Sequence, residues 1–217
     1  MNLKYFRIAV FHRLMRPFSA HARRGRMEVF AELIHAKEGM AVLDLGGTSG
    51  IWATLPIAME ITILNLPGTE HLNAVSHHRF KYVEGDACQV TEYQDRQFDI
   101  VFSNSVIEHV GAVDRQAAFA EGVRRLGKSY WVQTPSKWFP IEAHCGMPFW
   151  WFYPGFLRKY FIERWRKKLP AWTQMVEETR VLTKADLQRY FPEATIYVET
   201  YFGIPKSYVA YSPATFP

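Results

Sequence analysis

Cysteine is scarce in this chain, and long apolar runs are absent. The 217 residues include only two cysteines, Cys88 and Cys145, too few for a disulfide framework or a cysteine-based metal site. No stretch is apolar enough to span a bilayer, and Lys4, Arg7 and His12 interrupt the segment where a signal peptide would be apolar. We therefore expect a protein of a reducing compartment, with the cytoplasm as the default.

The chain also lacks internal repeats, low-complexity tracts and flexible linkers. Its length allows one α/β domain with a full core, and its 48% hydrophobic content argues against disorder. The pI of about 9.2 is compatible with anionic partners. No motif that reads bases accompanies the basic residues, so we expect no nucleic-acid partner.

One stretch, residues 42–52, combines an apolar run with a glycine-rich loop. The run Val-Leu-Asp-Leu predicts a buried parallel strand, and Gly46, Gly47 and Gly50 allow a ligand to approach the backbone closely. A helix that begins after the loop would direct its first N–H groups at a carboxylate or phosphate. The spacing matches neither the G-x-G-x-x-G dinucleotide fingerprint nor a P-loop. It indicates a nucleotide-like ligand of another kind.

This stretch resembles the first motif of class I S-adenosylmethionine-dependent methyltransferases, although Thr48 stands where that motif usually has its middle glycine. The Gly-Asp-Ala sequence at 85–87 is similar to the third motif of the family, and FDIVFSNSVIEHV at 98–110 closely resembles the fourth. The resemblance covers residues 40–134. It implies an α/β, Rossmann-like fold with a seven-stranded, mostly parallel sheet, an antiparallel last strand and helices on both faces. It also implies S-adenosyl-L-methionine as the cofactor.

The resemblance places the cofactor contacts at the ends of the predicted strands. Asn65 stands where relatives usually carry an acid for the ribose hydroxyls; its amide oxygen can still accept a hydrogen bond, without the charge. Asp86 would meet the adenine amine, and the 103–105 region would face the sulfonium. Thr48 and Asn65 leave open the alternative of a degenerate, non-catalytic partner subunit. The implied cofactor-binding residues are Asp44, Gly46, Gly47, Thr48, Gly50, Asn65, Leu66, Asp86, Ala87 and Asn104.

Hydrophobic periodicity predicts the remaining elements. We expect an N-terminal helix over 24–35 with its arginine head groups in solvent. Further helices are predicted over 51–59, 71–78, 113–126 and, from a capping box, 183–190. Strands are predicted over 61–65, 80–84, 98–104, 129–134, 194–200 and 207–211.

Together with the family resemblance, these elements imply a single methyltransferase domain over residues 1–217. Its expected parts are an N-terminal helical cap (1–38), the cofactor-binding core (40–134), a substrate cap inserted after strand 5 (135–182), and the closing helix and strands (183–217).

Glu142 and His144 follow the fifth predicted strand, at the edge where α/β sheets build their sites. A histidine near its ordinary pKa can take a hydroxyl proton, and a carboxylate can orient it. His144 is therefore the first candidate for a general base and His109 the second, although each could instead tie its loop structurally. Ubiquinone-type O-methyltransferases use a pair related to Glu108-His109 for a divalent metal. Because Ser105 stands where those enzymes carry a further acid, we expect no metal.

Aromatic and basic residues alternate over 146–172. A cap that walls a substrate pocket is the first interpretation, a face that lies on a membrane is the second, and nucleic-acid binding is the third. Together these features predict a methyltransferase that acts on a small-molecule or glycan acceptor, with a hydroxyl as the favoured methyl acceptor. A lipid or lipid-linked acceptor, reached by peripheral membrane contact through 146–172, is the alternative.

Overall fold

The computed structural model describes residues 23–69 and 76–213. The strands of these ranges are β1 (Ala41–Leu45), β2 (Glu60–Asn65), β3 (Arg79–Glu84), β4 (Phe98–Asn104), β5 (Gly127–Pro135), β6 (Thr195–Tyr201) and β7 (Ile204–Ser212). The helices are α1 (23–34), α2 (Ser49–Trp52), α3 (Val113–Leu126), α4 (Gly155–Arg166), α5 (Pro170–Glu178) and α6 (Lys184–Tyr190), with a 3₁₀ turn at Trp150–Phe152.

All seven strands form one sheet in the order β3-β2-β1-β4-β5-β7-β6. The first five strands pair in parallel, and β7 lies antiparallel between β5 and β6. The chain order reverses at β1 and β4, so their carboxyl ends border the crevice in which open α/β sheets bind ligands. The predicted mostly parallel sheet with an antiparallel closing strand is confirmed.

Two apolar layers hold the sheet, because neighbouring residues of a buried strand face opposite sides. Val42 packs with Phe30 and Trp52 of α1 and α2, whereas Leu43 packs with Phe119 of α3 and Leu187 of α6. All six side chains are fully buried. Helices therefore cover both faces, as the sequence predicted.

The structure corrects two of the predicted helices. The helix expected over 51–59 ends at Trp52, because the chain turns there and Pro56 has no N–H with which to continue it. Of the helix expected over 71–78, residues 71–75 lie outside the described residues, and 76–78 are not helical. The capping box on α6 is confirmed: Thr183 and Asp186 exchange side-chain and backbone hydrogen bonds.

The segment 135–182, here called the insertion, has a small core of its own. Trp150, Ile162 and Val176 are its buried centre. The aromatic rings packed around this centre are Trp151, Tyr153, Phe161, Trp165 and Trp172. These rings therefore stabilise the insertion by contact with one another. Among the described residues, no helix is long and apolar enough to cross a membrane.

Candidate active site

The glycine-rich loop after β1 is closely packed and tolerates no side chain at two positions. Gly46 has a φ of +74°, and a Cβ there would lie 2.7 Å from a methyl group of Val106. A Cβ on Gly47 would lie 1.8 Å from the carboxylate of Asp44. Glycine is thus required at both positions for reasons of space. The contact with Val106 also joins this loop to the loop that follows β4.

Asp44 is a fully buried carboxylate beneath the loop. The Trp52 indole N–H donates to its Oδ2 at 2.7 Å, but Oδ1 has no hydrogen-bond partner among the described residues. Burial raises the pKa of Asp44 to about 7, against the opposing effect of the Trp52 hydrogen bond. An unpartnered buried carboxylate oxygen is costly unless a ligand supplies a donor. Asp44 is therefore suited to a cationic or N–H-bearing group.

Asn65 and Asp86 lie at the carboxyl ends of β2 and β3. The Asn65 amide nitrogen donates to the carbonyl oxygen of Gly47 at 3.0 Å. Its amide oxygen then remains to accept a hydrogen bond, the role that the sequence predicted for it toward the ribose hydroxyls. Asp86 accepts from Arg115 at 3.0 and 2.8 Å through its two oxygens. Burial raises the pKa of Asp86, but the hydrogen bonds from Arg115 and Cys88 together with the charge of Arg115 hold the pKa below its ordinary value. Leu66, beside Asn65, is 62% exposed.

Arg26 of α1 contradicts the prediction that the arginine head groups of this helix are solvated. Only 8% of it is exposed. Its guanidinium donates to Asn104 Oδ1 at 2.5 Å and to Glu199 of β6 at 2.6 Å. A buried ion pair repays its desolvation only when both partners are held in good geometry. Arg26 therefore fixes Asn104, at the end of β4, in one orientation.

Glu142, His144 and His109 form a hydrogen-bonded chain at the carboxyl edge. Glu142 Oε1 lies 2.7 Å from His144 Nδ1, and the second oxygen accepts from the backbone N–H groups of His144 and Cys145. His144 Nε2 lies 2.8 Å from His109 Nε2. The structure thus brings together the two histidines that the sequence proposed as alternatives, although 35 residues separate them.

The hydrogen-bond partners of His109 and His144 indicate which of their ring nitrogen atoms carry a proton. Thr179 donates its hydroxyl proton to the Met175 carbonyl, so its oxygen faces His109 Nδ1, at 3.4 Å, as an acceptor. His109 then carries its proton on Nδ1 and accepts from His144 through Nε2. Burial, and next the charge of His144, lower the pKa of His109 to about 4. Burial disfavours the His144 cation, but Glu142 outweighs it and raises the pKa of His144.

Glu108 lies next to this chain and is fully buried. Thr134, at the end of β5, donates to its Oε2 at 3.0 Å, while Oε1 has no partner among the described residues. Burial raises the pKa of Glu108 to about 7. One ligand atom each from Glu108, His109 and His144 lies within 4.8 Å of the others. These three residues could hold a divalent cation, whereas the sequence analysis expected no metal site.

A cleft of about 230 Å³ opens beside His109. Ala171, Gln174, Met175 and Glu178 of α5 form its other walls. The cleft is large enough for one end of a small acceptor and lies over the end of the histidine chain. No aromatic ring of the insertion lines it, in contrast to the aromatic pocket that the sequence suggested.

Sequence reasoning did not single out Arg26, Arg115 or Thr179. Arg26 shares a helix with other arginines, and Arg115 lies in the first turn of α3 with the spacing of a surface residue. Their partners are 29 or more residues away. No local signal in the chain marks such pairs.

Comparisons with known proteins relate part of this chain to a family. Residues 43–129 match a family model described as a methyltransferase domain. This range contains the glycine-rich loop, Asn65, Asp86 and the loop after β4. A comparison with curated proteins finds no significant match.

Solved structures share the fold over most of the chain. Magnesium protoporphyrin IX methyltransferase of Synechocystis PCC 6803, solved with bound S-adenosylhomocysteine, is 10% identical with a TM-score of 0.51, and the match covers 88% of this chain and 82% of that one. A protein of Nostoc punctiforme, proposed to be an O-methyltransferase, is 14% identical with a TM-score of 0.53, covering 93% and 59%. At these identities the likeness establishes the shared fold.

Proposed function

We propose that this chain, whose residues 43–129 match a methyltransferase-domain family model, is an S-adenosylmethionine-dependent methyltransferase that transfers a methyl group to a hydroxyl of a small-molecule or glycan acceptor. The observation that carries the choice of acceptor is the Glu142–His144–His109 chain at the carboxyl edge. A hydroxyl must lose its proton as it attacks the methyl group, and the histidines of this hydrogen-bonded chain have nitrogen atoms that can receive it.

The residues of the cofactor half fit S-adenosylmethionine. The unpartnered Oδ1 of Asp44 suits the ammonium of the methionine portion, and Gly46 and Gly47 leave backbone exposed above it. Asn65 presents an amide oxygen to the ribose, and Asp86, fixed by Arg115, presents a carboxylate to the adenine amine. When bound, the cofactor supplies the methyl group on a sulfonium. Thr48, Gly50, Leu66, Ala87 and Asn104 complete the proposed binding set.

His144 is the proposed proton acceptor and Glu142 is the residue that orients it. In the hydrogen-bond arrangement described above, His144 holds protons on both nitrogens, so it must first lose one to become a base. The free-base form predominates above the raised pKa of His144. His109 is neutral at pH 7 because its pKa is about 4. It lines the cleft and joins it to His144 through the hydrogen bond between the two Nε2 atoms. The remaining contribution of the protein is to position the acceptor and to exclude water.

Calorimetric titration with S-adenosylmethionine, S-adenosylhomocysteine and, as a control, NAD tests the cofactor half. Saturable binding of the two sulfur nucleotides alone supports the proposal. A folded protein that binds neither would instead be the non-catalytic partner subunit that Thr48 and Asn65 left open.

Replacement of His144 by alanine tests the catalytic half. We expect turnover of an identified acceptor to fall by about 10²–10⁴-fold, while the affinity for S-adenosylhomocysteine is unchanged. His35→Asn is the matched control, because His35 is an exposed residue at the end of α1 whose φ of +57° asparagine tolerates. Near-wild-type turnover of the His144 variant would show that another group accepts the hydroxyl proton.

A further inference from the structure

Helix α4 presents aromatic side chains to solvent. Ile162 and Trp165 face the core of the insertion, whereas Phe156 is 77% exposed and Tyr160, one turn later, is 54% exposed. Phe152, in the turn before the helix, is also exposed. A soluble protein rarely leaves neighbouring large apolar side chains in water without a binding role. This outer face therefore requires a partner.

Two more rings extend this exposed face. Trp138 is exposed and contacts Phe152 at a ring distance of 5.2 Å. Phe149 is 56% exposed and has a φ of +52°, a left-handed conformation that costs a non-glycine residue energy. Phe149 therefore occupies a backbone conformation that glycine would adopt without strain. We call Trp138, Phe149, Phe152, Phe156 and Tyr160 the aromatic face.

A strongly basic segment lies beside these rings. Residues 149–168 contain six basic side chains and one acidic side chain, a local net charge of +5. The chain has a second basic segment, residues 1–26, with seven basic side chains and no acidic one. Lys159, Arg164 and Lys167 share the exposed side of α4 with Phe156 and Tyr160. Lys167 and Lys168 make no ion pair with any residue in the described part of the chain.

The aromatic face belongs to the same edge of the sheet as the candidate active site. Trp138 lies three residues beyond the end of β5. The insertion that follows returns over His109, which contacts Thr179 and shares its cleft with α5. The aromatic face and the wall that α5 gives to the cleft therefore belong to the same insertion.

We propose that the aromatic face docks on an anionic lipid membrane and presents the cleft to an acceptor embedded in that membrane, a lipid or lipid-linked hydroxyl. This inference rests on the proposed function for the methyl transfer, but not for the docking. Exposed aromatic rings insert at the headgroup boundary, and lysine and arginine side chains bind the anionic headgroups around them. The three phenylalanines have no polar atom in their side chains, which favours a lipid surface over the polar surface of a nucleic acid.

Co-sedimentation with vesicles tests the docking. We expect the full chain to bind vesicles of phosphatidylcholine with 30% phosphatidylglycerol in moderate salt, and to bind pure phosphatidylcholine at least about tenfold more weakly. Lys167→Glu with Lys168→Glu removes two contacts, so binding should fall by about 25-fold or more at roughly a factor of five per basic residue. Lys81→Glu with Lys184→Glu makes the same change of net charge at exposed positions outside the insertion and should cost much less.

The aromatic contribution is tested separately at Phe156. We expect Phe156→Ser to weaken vesicle binding by about tenfold or more, and Phe156→Trp to retain it, because tryptophan is favoured at the membrane interface. Three outcomes would each overturn the proposal. The two double lysine variants could lose vesicle binding equally, or the protein could bind single-stranded oligonucleotides in place of vesicles. The third outcome is a dimer in solution that buries the aromatic face.

Binding of S-adenosylhomocysteine, measured in the same variants, separates this inference from the proposed function. Vesicle binding without cofactor binding would refute the methyl transfer and leave the docking surface intact. Cofactor binding with no vesicle binding would refute the docking alone.

Discussion

Replacement of Asp44 by asparagine is expected to change the pH dependence of stability by a predictable amount. Burial raises the pKa of Asp44 from 3.8 to about 7 in the folded protein. A carboxyl group whose folded pKa is raised favours folding at low pH, and this contribution is lost as the pH rises from the unfolded value through the folded one. The penalty is about 2 kcal/mol at pH 5 and about 4 kcal/mol at pH 8, at roughly 1.4 kcal/mol per pKa unit.

Asparagine keeps the shape of Asp44 and the acceptor for the Trp52 indole, but it carries no charge. The difference in unfolding free energy between the variant and the wild type should therefore move by about 2–3 kcal/mol in favour of the variant between pH 5 and pH 8. Urea denaturation of both proteins at the two pH values measures this difference. Because Glu108 titrates in both proteins, its contribution cancels. A difference that is independent of pH would refute the buried, unpartnered carboxylate.

Other predictions concern binding and catalysis. The Asp44→Asn variant should bind S-adenosylmethionine more weakly by about tenfold or more in calorimetry, since it loses the anion for the ammonium group; unchanged affinity would place that group elsewhere. Glu142→Gln should shift the acid limb of the pH profile of kcat/KM to lower pH, because Glu142 raises the pKa of His144. The same change should lower the plateau of kcat/KM by at least about tenfold. An acid limb that does not shift would show that a group other than His144 titrates there. Chelation with EDTA, followed by a check of metal content, should leave turnover unchanged if His144 is the base; a loss that is restored by a divalent ion would make Glu108, His109 and His144 metal ligands.

The fold of the motif-bearing part of the chain could be predicted from sequence because its determinants are local. The strand and glycine-rich loop around Gly46 are contiguous, and the periodicity of α3 needs only its own residues. The parallel pairing of the first five strands and the antiparallel closing hairpin were expected from the family resemblance. Gly47 further shows why this motif is strict, since a Cβ there would overlap the Asp44 carboxylate.

The candidate catalytic half could be predicted only as separate residues. The sequence placed His109 and His144 in two loops as rival candidates, whereas the structure joins them in one hydrogen-bonded chain. The burial of Arg26 was missed because a helical pattern reports which residues are apolar, not which charged residue finds partners across the sheet. In the insertion, composition alone could not separate the rings that pack together from those of the aromatic face.

The ion pair between Arg26 and Glu199 joins residues 173 positions apart, and this separation sets an order of events during synthesis. Domains emerge from the ribosome from the N-terminus onward, so β1 to β5 can pair while β6 is still untranslated. Until β6 arrives, Arg26 has no carboxylate to bury against, and Asn104 lacks its fixed orientation. Asn104, a residue of the proposed cofactor site, is therefore fixed only after the last strands of the sheet have been synthesised.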